Sequence, residues 1–73
     1  MNPGDLVTLA MSTHLSVVLW NNESQDRAPS RVTSRFERGQ IALVLAMSGE
    51  DLLLLSASGC GWQSASLFHG AFT

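Results

Sequence analysis

The chain contains no lysine, no tyrosine and only one cysteine among its 73 residues. A single cysteine excludes a disulfide within the chain. Cys60, His14 and His69 do not have the paired spacing of a metal site, so we expect neither a metal nor a cofactor. A domain of this length has a small hydrophobic core, and without disulfide or metal the remaining means of stabilising it is oligomerisation.

Charge is also scarce, at 14% of residues with a formal net charge of −2, which argues against a general nucleic-acid-binding protein. Residues 52–73 carry no Asp, Glu, Lys or Arg. This stretch is nevertheless too rich in serine and glycine to span a membrane. The N-terminus lacks the basic segment of a signal peptide, so we expect a cytoplasmic protein without membrane contact.

Short apolar segments separated by turn residues dominate what remains. Their alternation predicts strands over residues 5–11, 15–20, 40–47, 51–57, 60–63 and 67–68. Ser48 and Asp51 also match a capping box, which leaves a short helix over residues 52–58 as the alternative. Turn signals recurring every eight to ten residues favour an all-β module in a single domain, residues 1–73.

Residues 21–35 differ from the rest because Val32 is their only large apolar residue and Pro29 lies among them. We expect a long polar loop here, of the kind that is either functional or disordered. Residues 69–73 are expected to form a C-terminal tail.

The segments FERGQIALVL and GWQSASLF resemble two parts of Src-homology-3-type small barrels. The first is similar to the entry into their second strand, and the second to their closing 3₁₀ turn and final strand. The resemblance implies a barrel of five to six strands with a tight distal hairpin at Ser58-Gly59. The opening PGDLV and the Gly-Trp ending also look like small barrel proteins of tailed bacteriophages and bacteria, which would place the protein in the host cytoplasm or the virion.

The chain departs from Src-homology-3 domains that bind proline-rich ligands. It has no tyrosine, and Asp51-Leu52-Leu53 stands where those domains carry a Trp pair. Since the groove for a polyproline helix needs aromatic walls, the resemblance does not imply that ligand.

Two groups of side chains could contact a partner or an anion. Guanidinium groups bind carboxylate and phosphate in a bidentate manner, although a solvated loop paired with nearby acids is the alternative interpretation. The tryptophans and Phe68 could line a groove or rim, or simply pack in the core. The two groups are Arg27, Arg31, Arg35 and Arg38, and Trp20, Trp62 and Phe68.

The apolar surplus is the most suggestive feature, since residues 41–47 and 52–55 are apolar on both strand faces and a small barrel buries only one. Exposed apolar patches commonly mark interfaces. We therefore expect a non-catalytic interaction or assembly module that self-associates, or binds another protein, through the outer face of strands 41–47 and 52–56, with Val44, Leu53 and Leu55 in the contact. The alternative is a nucleic-acid-binding barrel that uses the arginine segment and Trp62. No small-molecule site is indicated.

Overall fold

The structure, a computed structural model, describes residues 1–10, 15–21 and 31–71. The described residues form a small all-β fold, which confirms the predicted all-β class. Its elements in chain order are β1 (Leu6–Leu9), β2 (Ser16–Trp20), β3 (Val32–Glu37), β4 (Ala42–Ser48), β5 (Asp51–Ser56), β6 (Gly59–Ser64), a 3₁₀ turn (Ala65–Leu67) and β7 (Phe68–Gly70).

The strand prediction for residues 51–57 is confirmed by β5, and the alternative helix is wrong. Leucines on consecutive positions suit a strand whose two faces both meet apolar neighbours. The strand count of five to six is too low, because the described residues contain seven strands. The additional strand is β3, within the segment expected to be a loop as far as Arg35. The expected tail also begins with strand residues, since His69 and Gly70 belong to β7.

The strands form one antiparallel sheet in the order β3-β2-β6-β5-β4-β1-β7, which curls into a half-barrel. Phe36 of β3 and Phe68 of β7 meet edge-on, with ring centroids 5.4 Å apart. The two edge strands of the sheet are therefore brought together across the core by an aromatic pair, a geometry that favours the ring quadrupoles.

The core consists of buried aliphatic and phenyl side chains from six of these strands. In the first half of β4 the smaller side chains face it, because Ala42 and Val44 are buried while Leu45, and Ile41 just before the strand, are each more than 40% exposed. The larger face of this strand is thus directed outward. The buried residues are Val7, Leu9, Val17, Leu19, Phe36, Ala42, Val44, Leu52, Leu54 and Phe68.

The β2–β3 hairpin lies closely against β6 at Gly61. A Cβ atom placed on Gly61 would stand 2.6 Å from the Cβ of Leu19 and 2.5 Å from Oγ1 of Thr33. The Thr33 hydroxyl donates to the carbonyl of Cys60 at 2.7 Å. The close contact therefore needs a residue without a side chain at position 61.

Side chains replace backbone pairing where β2 diverges from β6. The only register pair between these strands in the described residues is Trp20 with Trp62. Beyond it, the amide Nε2 of Gln63 donates to the Val18 carbonyl at 2.8 Å, and its Oε1 accepts from the Ser64 N–H at 2.7 Å. Gln63, at 7% exposure, therefore joins the hairpin to the rest of the sheet as a buried, hydrogen-bonded amide.

Candidate interaction surface

An aliphatic surface covers the outer side of β1, β4 and β5. Leu6 pairs with Leu43, and Leu43 pairs with Leu55, so the three side chains form one cross-strand row. Leu45 lies on the same strand as Leu43 and Ile41 directly precedes that strand. The exposed fractions of Ile41 and Leu45, 47% and 41%, are close to the 45% of Leu55 and the 40% of Leu6. We call Leu6, Ile41, Leu43, Leu45 and Leu55 the aliphatic face.

A second row crosses the neighbouring strands on the same outer side. Val32 of β3 pairs with Trp20 of β2, Trp20 pairs with Trp62 of β6, and Trp62 pairs with Leu53 of β5. The last three are half-buried and Val32 is exposed. We call these four residues the tryptophan row. It joins the aliphatic face through Leu53 and Leu55, which are two residues apart on β5.

Two of the residues expected at a surface lie in the core instead. Val44 is 1% exposed and Phe68 is 5% exposed, so neither contributes to an outer contact. Val44 pairs with Leu54, on the inner side of the sheet, while Leu53 and Leu55, which were expected in the same contact, lie on the outer side. Phe68 packs on Phe36 and forms no groove with Trp62.

The described part of the arginine segment, residues 31–38, is formed mainly by the extended strand β3. Arg31 precedes β3, Arg35 lies within it and Arg38 follows it, whereas Arg27 lies outside the described residues. At about 3.3 Å per residue, Arg31 and Arg38 are separated by roughly 20 Å, so these side chains do not form the single stripe that helical spacing would give. Nη1 of Arg35 donates to the Ser16 hydroxyl at 3.0 Å, which directs it toward the end of β2 opposite Trp20.

Three backbone groups at the free edge of β3 already have hydrogen-bond partners within the chain. The N–H of Glu37 donates to Oε1 of Gln40 at 3.0 Å, and the N–H of Gln40 donates back to the Glu37 carbonyl at 3.1 Å. The carbonyl of Arg35 accepts from the Ser58 hydroxyl at 2.7 Å. These groups are therefore not available for pairing with an added strand, a common protection of sheet edges.

Within residues 1–10, 15–21 and 31–71, no three His, Cys, Asp or Glu side chains are close enough together to hold a metal ion. The same residues contain no helix of sufficient length and apolarity to cross a bilayer.

Sequence reasoning missed the two ends of this surface, Leu6 and Val32. Both follow a charged neighbour, Asp5 and Arg31, and only the cross-strand register shows that they continue rows begun elsewhere. The close contact at Gly61 could have been predicted from the sequence. Gly59 and Gly61 lie on one face of a strand, and glycine within a strand often indicates a close approach of another backbone.

Comparison of the chain with protein-family models, with curated proteins and with solved structures finds no match.

Proposed function

We propose that this protein is a non-catalytic interaction and assembly module that associates with further copies of itself through the aliphatic face. The observation that carries the proposal is the row formed by Leu6, Leu43 and Leu55, flanked by Ile41 and Leu45. Four of these five side chains are 40–47% exposed. Exposed apolar side chains in one contiguous group are typical of interaction sites, whereas single ones are common on any surface.

The scarcity of charge around this face supports contact with an identical surface. Between Ile41 and Phe68 the only charged residues are Glu50 and Asp51, at the β4–β5 turn. The centre of an interface is typically depleted of charge, and a face without charge can pack against another copy without like-charge repulsion. The small core of a chain of 73 residues gives further reason to expect stabilisation by oligomerisation.

The contact is expected to use the face of the sheet, not its edge. Addition of a strand to β3 would have to displace the hydrogen bonds that Gln40 and Ser58 make to Glu37 and Arg35. At the other edge, β7 is only three residues long. Short edge strands with occupied backbone groups are poor templates for strand addition.

We also propose that the half-barrel is of the Src-homology-3 type. Support comes from the meander β4-β5-β6, the tight hairpin between Ser56 and Gly59, and the 3₁₀ turn that leads into β7 beside β1. The hairpin β2–β3 occupies the place of the first large loop in such barrels. The polyproline ligand of that family is not part of this proposal, because Leu52 is a core residue at the place of its Trp pair.

The proposal is tested by sedimentation velocity on the wild type and on Leu55→Glu. The variant places a carboxylate in the centre of the aliphatic face, and burial of an unpaired charge opposes association strongly. The matched control is Leu15→Glu, since Leu15 is 75% exposed but lies outside the aliphatic face. We expect the wild type and the control to associate with increasing concentration and Leu55→Glu to remain monomeric. A monomeric wild type would refute self-association.

Nucleic-acid binding is a second candidate, favoured by one observation. Trp20 and Trp62 are register partners on the outer side of the sheet, and adjacent indoles can stack with unpaired bases. Arg35 is directed away from them, which weakens this candidate. Titration of single-stranded and duplex oligonucleotides at several salt concentrations tests it, because phosphate contacts lose affinity steeply as salt rises. Absence of binding at low salt would reject it.

A further inference from the structure

The aliphatic face has the form of a cross centred on Leu43. Leu6 and Leu55 lie beside Leu43 on the two neighbouring strands, and Ile41 and Leu45 lie two residues before and after it. Strand spacings make the cross about 10 Å wide from Leu6 to Leu55 and about 13 Å long from Ile41 to Leu45. The four outer members are almost equally exposed, at 40–47%, so opposite arms of the cross are alike.

A surface of this form is complementary to itself. When two copies face each other across a two-fold axis that lies in the interface, Leu43 meets Leu43 of the second copy and each arm meets another aliphatic side chain. This holds whether the axis runs along β4 or across the strands, because opposite arms are of the same kind. Contact between identical patches is an isologous interface, which closes at two copies.

The tryptophan row is a poorer partner for the aliphatic face than a second aliphatic face is. Trp20, Trp62 and Leu53 are all half-buried. Asp51 lies two residues before Leu53 on the same side of β5 and pairs with Ser64, which is two residues from Trp62. An aliphatic surface placed on this row would therefore also cover a carboxylate, and removal of a charge from water is costly. The aliphatic face contains no charged residue, so contact between like faces avoids this cost.

The acidic turn at one end of the face favours one orientation of the two copies. Glu50 and Asp51 lie between β4 and β5, beyond Leu45. A two-fold axis along β4 would bring Asp51 of both copies to within about 10 Å in the plane of the sheets, close to the Debye length of about 8 Å at physiological ionic strength, so the two acidic turns would repel each other. An axis across the strands separates the same residues by about 26 Å.

Asp5 does not enter this choice, although it directly precedes Leu6. Its carboxylate accepts from the Asn2 N–H at 2.8 Å, in the turn before β1. Its backbone carbonyl accepts from the N–H of Val44 at 2.9 Å, which holds it level with the centre of β4. The acidic turn at Glu50 and Asp51 is therefore the feature that distinguishes the two ends of the face.

We infer that two copies of this protein form an isologous dimer, in which the aliphatic faces pack with their β4 strands antiparallel and the two-fold axis runs along the row Leu6, Leu43 and Leu55. The inference rests on the proposed self-association and specifies the arrangement of the partner copy. Ile41 of each copy packs against Leu45 of the other, and each residue of the row lies opposite its own counterpart. Because the sheets are twisted, the strands of the two copies cross at about 30°.

Cys60 provides a native reporter of this arrangement. It continues the row on β6, since it pairs with Leu55, and its side chain is exposed. An axis along the row places the two Cys60 residues opposite each other at the rim of the dimer, about 10 Å apart as in packed sheets. An axis along β4 would displace them from each other by four strand spacings, or about 19 Å. Cys60 is the only cysteine of the chain, so the wild type can be used directly.

Cross-linking of the wild type with a short bis-maleimide tests the inference. The matched control is Cys60→Ala combined with Leu15→Cys, which moves the thiol to a residue that is 75% exposed and lies outside the aliphatic face. At the lowest concentration at which the wild type is dimeric, a thiol held opposite its counterpart has an effective concentration in the millimolar range. The wild type should therefore form the covalent dimer at least about tenfold faster than the control.

Two further measurements complete the test. Sedimentation equilibrium of the wild type without cross-linker should level off at the mass of two copies. Ile41→Glu places a carboxylate in the face away from Cys60, and should abolish the dimer and reduce cross-linking to the rate of the control. Circular dichroism verifies that this variant is folded, and Ile41→Thr replaces it if it is not, because threonine is compatible with a strand.

The outcomes separate this inference from the proposed function. A wild type that assembles beyond two copies, or a dimer that cross-links no faster than the control, would overturn the isologous arrangement and leave self-association intact. If a folded Ile41 variant dimerises as the wild type does, the contact does not use the aliphatic face, and both the proposed function and this inference are wrong. A wild type that stays monomeric has the same consequence.

Discussion

Substitution of Gly61 by alanine is the sharpest test of how the β2–β3 hairpin is held on the barrel. The added Cβ would meet the Leu19 Cβ at 2.6 Å, the Thr33 Oγ1 at 2.5 Å and the Trp20 carbonyl oxygen at 3.0 Å. The Trp20 oxygen is a backbone atom, and the Leu19 Cβ is bonded directly to the backbone of a buried residue. Neither atom can therefore move away by side-chain rotation. Gly61 is not among the glycines with positive φ, so alanine meets no backbone strain and the effect is steric.

The expected change in the free energy of unfolding is the sum of three contributions. Overpacking a core by a methyl group typically costs about 1–3 kcal/mol. If the hairpin moves to make room, the bond from Thr33 to the Cys60 carbonyl at 2.7 Å is weakened, at about 1 kcal/mol. Alanine also restricts the unfolded chain more than glycine does, which raises the free energy of unfolding by about 0.4–1 kcal/mol and offsets part of this loss. We therefore expect Gly61→Ala to lower the free energy of unfolding by about 2 kcal/mol, roughly half of what a domain of this size gains from its core.

Urea denaturation followed by tryptophan fluorescence measures this change, since Trp20 and Trp62 lie on either side of the contact. All variants are compared at one protein concentration, because association adds to apparent stability. Cys60→Ala is the matched control on the neighbouring, exposed position, where we expect little change. Gly49→Ala isolates backbone strain, since Gly49 has φ 58° and open space around it, and should cost about 1–2 kcal/mol.

A double substitution decides whether the steric explanation is correct. Thr33→Ala removes the closest atom to the new methyl group, so Gly61→Ala should cost less in that background than in the wild type, as expected for residues in contact. If Gly61→Ala is as stable as Cys60→Ala, or if the two changes at positions 33 and 61 are simply additive, the close packing of hairpin and β6 is not what requires glycine here.

Further expectations concern buried polar groups and the exposed thiol. Gln63→Glu removes the donor to the Val18 carbonyl and buries a carboxyl whose pKa must rise on folding. Its stability should therefore be retained below the unfolded-state pKa of about 4.3 and lost as pH rises through the folded-state pKa, so urea unfolding at acidic and neutral pH should differ for the variant only. Ser34 has a buried hydroxyl without a hydrogen-bond partner among the described residues, so Ser34→Ala should leave the free energy of unfolding unchanged or raise it. Ser58→Ala removes the hydrogen bond to the Arg35 carbonyl and should lower the free energy of unfolding by about 0.5–1.5 kcal/mol. Equal effects of the two variants in chemical denaturation would contradict this distinction. Cys60 is exposed beside the aliphatic face, so the rate at which its thiol reacts with a disulfide reagent should fall as protein concentration promotes association, and a constant rate would contradict burial of this region.

The strands of the meander could be located from sequence because their pattern is local. Residues 41–47 and 52–55 carry uninterrupted apolar side chains and are followed by Ser-Gly turn signals at residues 48–49 and 58–59, and both correspond to strands. β3 could not be located in this way, since Val32–Glu37 has only two apolar residues. It is a strand because Phe36 is buried in the core and Val32 pairs with Trp20, and both contacts are made with residues distant in sequence.

Which face of β4 lies inward was equally beyond a local pattern. Because side chains alternate along a strand, Ala42 and Val44 are expected on one face and Ile41, Leu43 and Leu45 on the other. The alternation alone does not indicate which face is buried. Larger side chains usually face the core, but here the interior already holds Phe36, Phe68, Leu52 and Leu54. The smaller group of β4 is the one packed against them, and the larger group became the candidate contact surface.

Composition and local pattern are sufficient to predict the all-β class, to exclude a disulfide within the chain, and to reveal more apolar side chains than one sheet face can bury. These are properties of composition and of neighbours within a few residues. The position of the surplus, on the outer side of β1, β4 and β5, and the pairing of Trp20 with Trp62 could be seen only in the tertiary structure. Register and curvature place those residues together, and both arise from contacts between strands that are far apart along the chain.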